Sequence, residues 1–185
     1  MKKLFAVLFV MSIIVNAAWS QAPSPQTEKA IDEYLQALKD SNQSVRMNAL
    51  KQLNDLKTTY PNYQMKEFES FLSSNIMRKS TDSWNRNLGA ENPGVRHATL
   101  YALVRLKSDF PQLDMSVFNS ALNKVVNKDA VAHIQVDAKI AAIYLNDAKL
   151  ASAVKVDENA DPGDVFAHIH IEMDKMFDQQ FSSAE

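Results

Sequence analysis

The densest group of oxygen ligands in this 185-residue chain is Asp157-Glu158-Asn159-Ala160-Asp161-Pro162-Gly163-Asp164, which offers ligands at the first, third and fifth positions of a calcium loop. The sixth position of such a loop needs a sharp turn and carries Pro162; the twelfth, where a bidentate glutamate belongs, is His168. The same letters suit an acidic cap, with Pro162 near the first turn of a last helix and acids beside the positive end of its dipole. That is the reading adopted. On this helix Asp164, His168 and Glu172 recur every four residues, a column that could contact a divalent ion but needs a fourth ligand from elsewhere. His168 and His170 stand about 200 degrees apart on a helix and cannot share one ion. No metal ligand is assigned.

Nucleophilic catalysis has no better footing. The chain has no cysteine, which excludes a disulfide framework, a thiolate zinc site, a cysteine nucleophile and a lipidated cysteine anchor. It has no Gly-x-Ser-x-Gly elbow, and three glycines in all leave no phosphate-cradling loop. His97 and His133 fall at helix-surface or cap positions, and no pattern marks a carboxylate pair. No catalytic residue and no cofactor follow. A formal charge of −2 argues against nucleic acid, whose binders carry a basic face to displace phosphate counterions.

The elements that would position any site are helices, preceded by an address. MKKLFAVLFVMSIIVNAAWSQ has two lysines, an apolar run from Leu4 to Val15, then small residues, the layout of a secretory signal peptide. The run is too short to span a bilayer, which takes about 20 residues. Ala18 and Ser20 flank Trp19 in the recognition positions, so residues 1–20 are expected to be removed and the mature chain to begin at Gln21. Two lysines leave with that segment and the formal charge becomes −4. The product is expected in the periplasm or outside the cell, with no membrane attachment after cleavage. Residues 21–26 read as a proline-stiffened tail.

The interior repeats itself. At an offset of 50, Gln43 to Leu72 aligns with Pro93 to Leu122, and 11 of 30 positions are identical where chance gives about two. The matches include Val45 with Val95, Arg46 with Arg96, Leu53 with Leu103, Leu56 with Leu106, Pro61 with Pro111 and Phe68 with Phe118. They are mostly apolar or turn positions, as two copies of one packing unit would retain. Ala30, Ile31, Tyr34, Leu35 and Leu38 fall on one helix face, as do Val45, Ala49, Leu53 and Leu56. Ser41, Asn42 or Ser44 can cap the second helix, and Pro61 and Pro111 follow the ends of their helices. A third, weaker copy places Ile134, Gln135 and Ala138 where Val45, Arg46 and Ala49 stand.

LQALKDSNQSVRMNALKQL and NLGAENPGVRHATLYALVRL resemble the HEAT repeat, whose second helix begins with a Val-Arg pair followed by a small residue and a leucine. The resemblance implies an all-α, right-handed stack of helical hairpins over residues 27–150. About seven helices are expected, with an acidic linker at 151–162 and a C-terminal capping helix at 163–185. The period of 50 is long for the family and calls for an extra helical segment around Met65 to Lys79. Arg46 is expected to pair with Asp40, and Arg96 with Glu91.

The resemblance further implies an exported, non-enzymatic protein-protein interaction scaffold. Its second helices would line the inner face, where offsets of 50 and 89 align Lys51 with Tyr101 and Ile140, and Asp55 with Arg105 and Tyr144. Tyr101, Arg105 and Tyr144 are residue types enriched at binding hot spots, and they form the expected partner face. The protein partner is not identified by the sequence. A calcium- or transition-metal-binding periplasmic module and a periplasmic enzyme of unknown chemistry are the alternative readings.

Overall fold

A computed structural model describes residues 24–40, 42–59, 65–156 and 161–182. They form eight α-helices: α1 Pro25–Ala37, α2 Gln43–Asp55, α3 Met65–Leu88, α4 Pro93–Asp109, α5 Asn119–Lys128, α6 Ala132–Asn146, α7 Ala148–Ala153 and α8 Pro162–Ser182. Single turns of 3-10 helix at Leu56–Thr59 and Ser116–Phe118 complete the secondary structure, and no strand occurs among the described residues. None of these helices is long and apolar enough to cross a membrane. The expected signal peptide, and Asp157 to Ala160 of the acidic linker, lie outside the described residues.

Local chemistry sets the boundaries. The hydroxyl of Ser24 accepts from the Thr27 N–H and Pro25 opens α1, so the helix starts inside the expected tail at 21–26. Asn42 caps α2 and Asn92 caps α4, each accepting an N–H two residues on. Asp147 caps α7 by accepting from Lys149 and Leu150, which turns the start of the expected linker into a short helix. Nothing breaks the chain between Met65 and Leu88. The extra segment and the Trp84 helix are therefore one helix, α3, of 24 residues.

The helices pack in sequential pairs, α1 on α2, α3 on α4 and α5 on α6. Further contacts join α1 to α3, α3 to α5, and α4 to α6. The core runs through these seams from Ile31, Leu53 and Leu72 to Leu103, Phe118, Leu122 and Ile134. Phe166, Ile169 and Met173 of α8 are buried where that helix lies on α6 and α4, so its apolar side covers the end of the core. Val45 and Val95 depart from the expected core stripe. They stand in the first turns of α2 and α4, 42% and 37% exposed, and Val45 borders an open cleft with Asp32 and Gln36.

One hydrogen bond recurs with the repeat. Arg46 donates from Nη1 to the Asp40 carbonyl (2.5 Å), Arg96 from Nη1 to the Ala90 carbonyl (2.7 Å), and Gln135 from Nε2 to the Asp129 carbonyl (2.5 Å). Each closes the turn before its helix by reaching six residues back. The expected carboxylate partners are thus replaced by carbonyls: Arg96 also takes the Glu91 carbonyl, and its carboxylate partner is Asp129 of the third unit.

Candidate functional site

Among the described residues, two buried guanidiniums with unfilled donors lie where the α1–α2 pair meets α4. Tyr34 reaches from α1 to the end of α4, its hydroxyl donating to Asp109 Oδ2 (2.8 Å) and its ring meeting Phe110 edge-on. Burial, reinforced by the Asp109 charge, raises the Tyr34 phenol well above its ordinary range, so it stays a donor. Beside this contact is a cavity lined by Tyr34, Leu38, Arg46, Leu50, Arg105 and Asp109. Arg46 and Arg105 are 6% and 4% exposed, and in both the Nε and Nη2 groups have no acceptor among the described residues. The Arg105 guanidinium stacks over the Tyr101 ring at 4.4 Å. Its pKa is lowered by burial, and the nearby Arg46 charge acts in the same direction.

The cavity adjoins a wider groove, with Leu50 and Asp109 common to both linings. The groove, about 760 Å³, runs between α2, the first turns of α3 and the loop after α4. Asn54, Lys66, Glu69, Ser70 and Gln112 give it a polar, mixed-charge rim. Its far wall is Lys155 and Val156, docked on α4 by bonds from Lys155 Nζ to the Ser108 carbonyl (2.8 Å) and from the Val156 N–H to Ser108 Oγ (3.2 Å).

No family model, no curated protein and no solved structure matches the chain. The geometry alone therefore carries the functional argument.

The expected partner face at Tyr101, Arg105 and Tyr144 is corrected by burial. Tyr101 and Tyr144 are 2% and 0% exposed, and Ile140 is buried as well, whereas the aligned Lys51 and Asp55 are exposed. The cause is tertiary. The chain after α6 turns back over α4, where the Tyr144 hydroxyl donates to the Val154 carbonyl (2.8 Å), and the first hairpin covers Arg105. These side chains are packing and cavity elements in this structure.

A second polar cluster joins His97 of α4 to Asp137 of α6, with Nε2 and Oδ2 3.2 Å apart. His97 also lies 5.9 Å from the His133 ring and 5.8 Å from Phe166 of α8. Burial raises the Asp137 pKa, although both histidines pull against it. The cluster meets the C-terminal helix through the ring contact of His97 with Phe166. Among the described residues no three His, Cys, Asp or Glu side chains gather as a metal site, and Glu172 pairs with Lys175 (2.6 Å).

Sequence reasoning missed Asp129, Asp137 and Asp109. Asp129 had a signal, since the third-unit offset aligns it with Asp40. The roles of Asp109 and Asp137 depend on which helices meet.

Proposed function

We propose that this chain is an exported, non-enzymatic protein-protein interaction scaffold of the HEAT-like kind, working through the groove between its first hairpin and α4. The observation that carries this reading is the same side-chain-to-carbonyl bond, six residues back, in three successive helical units. Such a latch fixes the turn before each of these helices, and rigid elements hold a binding surface in register. The groove supports it further by combining a fixed apolar floor at Leu50 and Leu113 with a polar rim, the composition of a reversible protein interface. Export rests on the layout of residues 1–20.

Photo-crosslinking tests the scaffold. A photoreactive residue placed singly at Asn54, Ser70 or Gln112, in cells that make the protein, is expected to give one discrete adduct with a partner chain. Lys124, exposed on α5, is the control. Adducts from Lys124 of the same mass, or none from the three groove positions, would overturn the reading. Export is tested by the intact mass of the natural product, expected to begin at Gln21; a retained Met1 segment would remove that part.

A further inference from the structure

Arg46 and Arg96 hold the same place in successive units, and each uses Nη1 for the carbonyl six residues back. Their other edges differ. In Arg96, Nε and Nη2 grip both oxygens of Asp129 at 2.5 and 2.7 Å. In Arg46 those same two groups have no acceptor among the described residues, although the side chain is buried. The repeat supplies the reason. Asp129 stands six residues before Gln135 of the third unit; the corresponding residue of the second unit, six before Arg96, is Ala90. A methyl group occupies the register position from which a carboxylate would answer Arg46.

Arg105 doubles the deficit. Its Nε and Nη2 lack acceptors in the same way, and it lines the same cavity. Two buried guanidiniums, each with its two-pronged edge unfilled, repel one another and leave donors unsatisfied, a combination that an anion relieves. Asp109 also lines the cavity, but its single negative charge receives the Tyr34 hydroxyl and leaves the lining one positive charge in excess. The cavity is small, about 20 Å³, room for one or two small polar groups, and it opens to solvent at its mouth.

We propose that the cavity between Arg46 and Arg105 is a carboxylate-binding site, taking from a ligand the group that Asp129 gives to Arg96. The planar, two-oxygen form matches the edge that Arg96 already uses, and the narrow inner space admits a carboxylate with its carrier left in the mouth. The assignment stands without the scaffold reading, because a free carboxylate tests it directly.

The test is a titration of the purified exported protein with sodium acetate at constant ionic strength, followed through the Nε–H resonances of its arginines. Saturable shifts of Arg46 and Arg105, absent when chloride replaces acetate, are expected. Arg46→Gln should weaken acetate by about tenfold or more while keeping the fold, since Gln135 makes the same carbonyl bond with a glutamine. Arg105→Met is the second variant and should have the same effect. Equal shifts with chloride, no saturation, or unchanged affinity in both variants would overturn the site. A short peptide carrying one glutamate distinguishes the source: binding about tenfold tighter than acetate points to a chain-borne carboxylate, and equal binding to a free acid.

Discussion

Asp129 stands across from Arg96 with each carboxylate oxygen on a separate guanidinium nitrogen, Oδ2 on Nε at 2.5 Å and Oδ1 on Nη2 at 2.7 Å. The pair joins the second hairpin to the third, and Asp129 Oδ1 also accepts the Val131 N–H at 2.9 Å. Arg96 therefore closes its own turn and holds the next unit with opposite edges of one side chain.

This pair fixes an acid dependence. Hydrogen bonding from Arg96 holds the Asp129 carboxyl below its ordinary range, so its contribution is full above the unfolded value of about 4 and is lost as pH falls through the native one. Asp129→Asn should cost about 1.5 to 3 kcal/mol at pH 7, because it removes the charged acceptor from a part-buried guanidinium. In urea unfolding the gap between the two proteins should narrow below about pH 4.

Asp137 should behave with the opposite sign. Burial raises its pKa, so the native state holds the proton more tightly than the unfolded chain, and its contribution declines as pH rises through the native value. Relative to Asp137→Asn, the natural protein should lose stability with rising pH from about 4 upward. Thermal melts of both proteins across that range check it; a gap that moves the other way would show that His97 controls the cluster.

Leu53 and Leu103 are both fully buried at aligned positions, which predicts matching responses. Leu53→Ala and Leu103→Ala should each cost about 2 to 5 kcal/mol through lost transfer energy and a residual cavity. Denaturant unfolding measures both.

The Tyr144 hydroxyl, its pKa pushed up to about 12 by burial, ties α6 to the segment that folds back over α4. Tyr144→Phe should cost about 1 to 3 kcal/mol, since the Val154 carbonyl is left unpaired in a buried place. The loss should be local, seen as faster amide exchange at Val154 and Val156 than in α1.

The amino-acid sequence by itself determined the helical character, a cap for α2 within Ser41 to Ser44, the repeat register and the aligned apolar positions at Leu53 and Leu103. These follow from spacing and from side chains that satisfy backbone groups within a few residues, so the information is local. It failed at α3, where an expected break between two segments proved to be one helix, and at Val45, where periodicity gave a face without saying how far its neighbour extends.

Only the tertiary structure decided what covers what. Tyr101, Arg105 and Tyr144 fell on helix faces that a simple stack would expose; the return of residues 148–156 over α4 and the seating of the first hairpin buried them. The Arg46–Arg105 cavity arises in the same way. Two arginines 59 positions apart become neighbours only when α2 and α4 meet, and their missing carboxylate shows only beside Arg96, whose partner Asp129 arrives from another helix pair. Desolvation and charge pairing depend on distance in space, and distance in space is what the order of residues leaves open until the helices pack.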